Sequence, residues 1–337
     1  MRILIVTDTY STQINGVARV LSQTEKELIK QGHTLDILDV KDCVTVPFPP
    51  YPEIKVAVFP RGQVKRRVEA FQPDSIHILT EGTLGWSARA YCMRNNIAFT
   101  SSFLSKFAEY LSLNYKVPHS WLHLLFKRFH RAAAHTMVTT EGMRQEAYEF
   151  GIEHVRLWRR GVDFSQFRSV EANLFSDHQG PIMLYVGRLS FEKNIEAFLS
   201  LQASGTKVIV GDGPRRKYLE QKFPDAVFCG VREGENLVQC YNSADVFVFP
   251  SLTDTFGLVN LEALACGLPV AAFPVTGPKD IIGNAPVGAL DKDLGKAITE
   301  ALRMKPEDCI KHASQYSWQA AAEDFISNLV PVTAKHS

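Results

Sequence analysis

The stretch Pro250-Ser251-Leu252-Thr253-Asp254-Thr255-Phe256-Gly257-Leu258-Val259-Asn260-Leu261-Glu262-Ala263-Leu264-Ala265-Cys266-Gly267-Leu268-Pro269 decides the fold. A continuous apolar run at 246–249 precedes it and another at 270–273 follows it. Between them residues 258–266 fit a helix, entered through a loop that carries Asp254 and Gly257. Two unalternated apolar strands joined by a helix predict parallel sheet covered on both faces. The same rhythm continues outward. Further strands are predicted at 182–186, 207–210 and 227–229, with helices at 195–201, 215–222 and 237–244. The first half repeats it, with strands at 3–6, 35–40, 76–79, 97–100 and 136–139 and helices at 17–30, 84–94 and 141–150. Two such series predict an α/β protein of two doubly wound, Rossmann-like domains. The domains are set at 1–160 and 161–315, with the junction near 160–167. A last helix, about 318–329 within a tail at 316–333, is expected to pack back on the first domain. Ligands of such sheets bind at the carboxyl ends of the strands, so the expected site is a cleft between the two domains.

The chain's 337 residues suit two domains, and 45% apolar with 22% charged residues is ordinary for a globular protein. Net charge is only +1, but residues 1–160 carry 21 Lys and Arg against 15 Asp and Glu. That basic half suggests an anionic partner, unless it is scattered surface charge. The opening Met1-Arg2-Ile3-Leu4-Ile5-Val6-Thr7-Asp8 is too short an apolar run for a signal peptide, and no stretch approaches the roughly 20 apolar residues of a membrane span. Six cysteines without a Cys-x-x-Cys spacing read as reduced thiols, which predicts a cytoplasmic protein without zinc or disulfides.

Three loops carry candidate chemistry. Asn15-Gly16 precedes a helix and can bring backbone N–H groups to a phosphate, although a plain strand-to-helix turn looks the same. No Gly-x-Gly-x-x-Gly follows the strand, which argues against a nicotinamide dinucleotide. In Gly187-Arg188-Leu189-Ser190-Phe191-Glu192-Lys193-Asn194, Arg188 and Lys193 are placed to neutralise a leaving diphosphate, so no metal and no cofactor are expected. Taken singly, both are ordinary surface cations. Asp254 and Glu262 are two carboxylates separated by seven residues, one in a loop and one about a turn into a helix. The free N–H groups of that helix start suit a diphosphate, Asp254 suits sugar hydroxyls and Glu262 a ribose. The bland alternative makes Asp254 a helix-start charge and Glu262 a surface residue.

Together these residues resemble the retaining GT-B glycosyltransferases of family four, above all the group around GDP-mannose-dependent alpha-mannosyltransferases and sulfoquinovosyldiacylglycerol synthases. The likeness spans nearly the whole chain. It covers Asn15-Gly16-Val17, His77-Ile78-Leu79-Thr80-Glu81-Gly82, Arg160-Gly161-Val162-Asp163, Gly187-Arg188 with Glu192-Lys193-Asn194, Gly211-Asp212-Gly213-Pro214, and Asp254 through Glu262. The resemblance implies transfer of a hexose from a nucleotide-sugar donor, of GDP-mannose or UDP-glucose type, with Asp254, Arg188 and Lys193 as the catalytic set. It implies that Gly16 approaches the donor phosphates and that Val231, Arg232 and Leu237 flank the base. Glu262 would take the ribose, the amides of Leu258 and Val259 a phosphate, and Thr255-Phe256-Gly257 would face the sugar. Asn15, Glu81 and Leu104 are the acceptor-side candidates.

Two departures stand out. Asp254 replaces the Glu that usually opens the acidic pair, and Leu104 stands where relatives carry a His in a Tyr-His-Thr context. Leu104 cannot donate a hydrogen bond, so another group serves, with His77 and His119 as candidates, or the sugar sits differently, or activity is low, or the chain is a non-catalytic sugar-nucleotide binder. A soluble or saccharide acceptor fits the motifs as well as a lipid. The predicted acceptor is a lipid such as diacylglycerol or a glycosyl-diacylglycerol, reached from the cytoplasmic face of an anionic membrane; nucleic acid is not expected. Trp121, Leu122, Leu125, Phe126 and Phe129 fall at helical spacing beside Lys127, Arg128 and Arg131, and Lys65-Arg66-Arg67 adds a second basic cluster. An ordinary core-facing helix would show the same spacing.

Overall fold

A computed structural model describes residues 1–10, 16–48, 51–104 and 119–333. Asn15, Ser105 and the side chain of His119 lie outside the described residues. The chain forms two compact units, Met1–Arg160 with Trp318–Ser337, and Gly161–Ser317.

In chain order the first unit holds β1 (Arg2–Thr7), α1 (Gly16–Lys30), β2 (Thr34–Asp39), β3 (Thr45–Phe48), β4 (Tyr51–Ala57), α2 (Arg61–Phe71), β5 (Ser75–Ile78), α3 (Thr83–Arg94), β6 (Thr100–Ser102), α4 (His119–His130), β7 (His135–Val138), α5 (Glu141–Glu149) and β8 (Val155–Leu157). Its main sheet runs β2-β1-β5-β6-β7-β8, parallel throughout. Ile3 to Val6 are fully buried, as unalternated strands must be when both faces are covered. The β3–β4 pair is an antiparallel hairpin outside this sheet. It escaped the sequence reading because it is half-exposed, with Val44 and Val46 open to solvent. The strand expected at 97–100 instead starts at Thr100. Ile97 N is spent closing the α3 end on Cys92 O at 2.9 Å, behind Asn96 at a φ of 53°.

The second unit holds β9 (Ile182–Val186), α6 (Ile195–Leu199), β10 (Thr206–Val210), α7 (Arg216–Lys222), β11 (Val227–Gly230), α8 (Gly234–Asn242), β12 (Val246–Phe249), α9 (Leu258–Ala265), β13 (Val270–Ala272), α10 (Pro278–Ile282), β14 (Gly288–Leu290), α11 (Leu294–Ala301) and α12 (Pro306–Ala313). Its sheet runs β11-β10-β9-β12-β13-β14, again parallel throughout. Leu184 and Val186 pack into the core on one face, Met183 and Tyr185 into the core on the other. That period of two, buried on both sides, is why β9 reads as one apolar run.

The last helix, α13 (Trp318–Asn328), belongs to the first unit. Arg159 holds Asp324 through two 2.7 Å bonds, and Asn328 Nδ2 donates to Leu157 O at 2.7 Å. In both sheets the strand order reverses beside the first strand, between β1 and β5 and between β9 and β12. The carboxyl ends at those two places are where a doubly wound sheet offers a ligand its crevice.

Candidate active site

In the second unit the loops leaving β9 and β12 meet. Asn194 sits at a φ of 52° and donates through Nδ2 to Pro250 O at 3.1 Å, which ties one loop to the other. Lys193 and Asp254 are thereby brought together from 61 residues apart, with Lys193 Nζ at 2.7 Å from each carboxylate oxygen. Both side chains stay about a quarter exposed. Arg188 lies exposed in the same loop, and its carbonyl accepts the Tyr185 hydroxyl at 3.0 Å. Burial first, then Asp254 and Glu192, hold the Tyr185 hydroxyl well above its ordinary pKa, so it stays protonated. A third loop packs beneath. A Cβ on Gly211 would stand 2.0 Å from Gly187 O, and one on Gly213 2.5 Å from Leu189 O, so glycine there lets the backbones close up.

The sequence segment that decided the fold also forms the floor. Gly257 sits at a φ of 79° and starts α9 with no side-chain cap. A Cβ there would meet Asn260 Nδ2 at 2.6 Å and Phe249 Cζ at 2.8 Å. The first-turn amides of Leu258 and Val259 are therefore those of an uncapped helix start, suited to an anion. Glu262 is only 3% exposed, and its Oε2 accepts the Tyr241 hydroxyl at 3.0 Å. It is not a surface residue, which removes the bland alternative for that position.

Other expected donor contacts are less uniform. Thr255 is half-buried beside Asp254. Val231 is 60% exposed and Arg232 exposed, but Leu237 is buried in the core and Phe256 likewise. Those two buried side chains shape the site from behind. The chain does carry one Asp-x-Asp, Asp291-Lys292-Asp293, a spacing that bears on the metal-free expectation. Asp293 Oδ1 caps α11 by accepting from Gly295 N and Lys296 N, and Asp291 Oδ1 accepts from Asp293 N at 2.7 Å. Among the described residues no three His, Cys, Asp or Glu are grouped to hold a metal ion.

In the first unit the residues at the strand reversal are Asp8, Gly16 and Glu81. Gly16 has open space where a Cβ would stand. Asp8, which the sequence reading used only as the end of an apolar run, accepts from Leu84 N at 2.9 Å, Gly85 N at 3.2 Å and Thr80 Oγ1 at 3.0 Å. Burial raises its pKa, against those bonds, which favour the charged form. Glu81 pairs with His130. Leu104 is 9% exposed beside the buried Phe103. His77, expected as a substitute imidazole, is wholly buried between Thr100 Oγ1 at 2.8 Å and Ser102 Oγ at 2.9 Å. Burial, and then the charge of Arg160, push its pKa down to about 3, so it is a neutral structural residue. Tyr185, Tyr241, Asp8 and His130 carried no motif signal; each matters through partners distant in sequence.

Helix α4 has two apolar sides. Leu122, Phe126 and Phe129 are buried, whereas Trp121 is 75% and Leu124 66% exposed, with Leu125 and Arg128 also outward. Of the second basic cluster, Lys65 and Arg66 are exposed while Arg67 is held by Asp36 and Asp42. No helix among the described residues is long and apolar enough to cross a membrane.

Comparison with known proteins adds to this geometry. Residues 14–166 match the family model for Glycosyltransferase Family 4 and residues 167–316 that for Glycosyl transferases group 1. A GDP-mannose-dependent alpha-mannosyltransferase of Corynebacterium glutamicum is 30% identical, over 86% of this chain and 76% of that protein. An alpha-monoglucosyldiacylglycerol synthase of Streptococcus pneumoniae is 26% identical, over 96% of this chain and 83% of that one. Among solved structures, sucrose-phosphate synthase from Thermosynechococcus elongatus superposes with a TM-score of 0.77 over 97% of each chain, at 20% identity.

Proposed function

The chain belongs to the family 4, group 1 glycosyltransferases and has their two-domain GT-B fold, and from that premise we propose that it is a retaining, metal-independent hexosyltransferase acting on a membrane lipid. The second unit would bind the nucleotide-sugar donor and the first the acceptor. The carrying observation is the meeting of Lys193 with Asp254 at the uncapped start of α9, above the buried Glu262. Lys193 and Arg188 would take the diphosphate, with the amides of Leu258 and Val259 on a phosphate. Asp254 would accept from sugar hydroxyls and Glu262 from the ribose. As the bond from the sugar to the diphosphate breaks, the acceptor oxygen attacks the same face, and the departing phosphate oxygen takes the acceptor's proton. The protein's part is positioning and charge stabilisation. A donor of GDP-mannose or UDP-glucose type is favoured, the first because several relatives are named for it.

A lipid acceptor is supported by relatives named for diacylglycerol glycolipids and by the outward side of α4. Trp121, Leu124 and Leu125 with Arg128 make a face suited to a bilayer interface. Near an anionic surface each cation adds about 1 kcal/mol. Phe59, 93% exposed at a φ of 50°, lies just ahead of α2 with its exposed basic residues Arg61, Lys65 and Arg66 and adds to the same reading. Peripheral binding at the cytoplasmic face follows from this proposal. The test measures nucleotide release from GDP-mannose and UDP-glucose, with and without diacylglycerol vesicles and with EDTA. Turnover should need vesicles and survive EDTA; dependence on Mg²⁺ or Mn²⁺ rejects the metal-independent part. Sedimentation with anionic vesicles should weaken with salt and fall when Trp121, Leu124 and Leu125 become Ser. Equal activity on soluble acceptors without vesicle binding would reject the lipid part.

A further inference from the structure

A chain of buried polar groups runs inward from the first unit's strand reversal. Glu81 Oε1 lies 3.1 Å from His130 Nε2, His130 Nδ1 lies 2.9 Å from Ser101 Oγ, and Ser101 Oγ lies 3.1 Å from Thr136 Oγ1. The His130 side chain is wholly buried, set edge-on to Phe103 at 5.6 Å and Phe129 at 5.1 Å. The core around it is apolar. Well-packed hydrophobic residues in place of buried polar partners are often as stabilising, so packing alone does not account for the chain.

Its outer end is built to hold one carboxylate still. Thr80 and the amides of Leu84 and Gly85, on either side of Glu81 in sequence, are all bound by Asp8 at the end of β1. Glu81 thus stands on a clamped loop at the carboxyl end of β5, beside β1, where the strand order reverses. Its side chain is 11% exposed. His130 holds Oε1, and Oε2 carries no hydrogen bond among the described residues. His130 has both ring nitrogens occupied and no exposure, so it reaches no ligand itself.

We propose that Glu81 Oε2 accepts a hydrogen bond from a hydroxyl of the acceptor's polyol headgroup other than the attacking one, and that His130, braced by Ser101, is the positioning residue that aims it. This rests on the reading of the first unit as the acceptor side. The ligand class is a neutral hydroxyl-bearing group, glycerol or sugar; a carboxylate would repel a phosphate.

The experiment uses the full chain, GDP-mannose or UDP-glucose as donor, and phospholipid vesicles containing a glycosyl-diacylglycerol, whose sugar has hydroxyls besides the attacking one, as acceptor. Glu81→Gln should lower kcat/KM for the glycosyl-diacylglycerol by about 10- to 100-fold, the loss expected for one charge-assisted hydrogen bond. Donor affinity should stay at the wild-type level. His130→Ala should act in the same direction, and His130→Gln, whose side-chain amide can donate to Glu81, should recover most of the loss. Equal effects on donor and acceptor constants, or a fall in Tm with both constants unchanged, would make the chain merely structural and overturn the proposal. So would a His130→Gln protein as impaired as His130→Ala. Wild type that binds donor but never transfers to the vesicles would instead overturn the lipid-acceptor reading on which the inference rests, an outcome read before any variant is made.

Discussion

Lys193 and Asp254 share charge within the second unit, so a diphosphate that takes the lysine must share it with a carboxylate 2.7 Å away. Asp254→Asn should therefore keep or tighten nucleoside-diphosphate binding while cutting transfer by about 10- to 100-fold, since a sugar contact is lost and a lysine released. Glu262→Gln should do the reverse and weaken nucleotide binding by about tenfold. Titration calorimetry with GDP and UDP beside turnover separates the two; parallel losses in both variants would refute the division of labour. At Leu104 the side chain is buried beside Phe103. Leu104→His should leave transfer unchanged or reduce it, because an imidazole there must be desolvated in a pocket shaped for an apolar group. A clear gain in transfer would show that the sugar uses the position as in relatives.

At the scale of elements, regular structure was legible wherever one strand or helix met its neighbours by local rules. Strands β9 and β12 stand where the apolar runs put them, at Ile182–Val186 and Val246–Phe249. The hairpin and the start of β6 were not legible, because exposure and a helix-end hydrogen bond decided them. Helix α4 shows the limit of periodicity. Its apolar spacing is one pattern in sequence but divides in space into a buried side and an exposed side. Helix α13 depends on distant partners. Phe325 is fully buried, with ring centroids 4.9 Å from both His77 and Trp158. Phe325→Ala should cost about 3–5 kcal/mol of unfolding free energy in the first unit. Denaturant titration checks this, and a loss under 1 kcal/mol would mean that α13 is not part of that unit's core.

For the molecule as a whole, His77 predicts an acid limit to stability. Its folded pKa, about 3, lies below the usual 6.5, so the unfolded chain binds the proton first. The stability tied to the neutral ring is complete above about pH 6.5 and declines as pH falls toward 3, by about 1.4 kcal/mol per unit. Urea unfolding at pH 7.5, 6 and 5 should show that slope, and His77→Gln, which can keep one hydroxyl partner, should flatten it. An unchanged slope in the variant would place the titration elsewhere.

By itself the sequence determined the α/β class and the two parallel sheets, because these follow from local periodicity, and its motifs carried the resemblance that pointed to the family. It also pointed to Asp254, Glu262, Arg188 and Lys193 as one set. Only the tertiary structure decided that Lys193 closes on Asp254 across 61 residues and that Asp8 clamps a loop more than 70 residues away. It likewise decided that His77 is a neutral core residue while His130 is tied to Glu81. Those are facts about burial and about which strand ends become neighbours. Strand order and helix packing set both, and neither leaves a periodic mark in the chain.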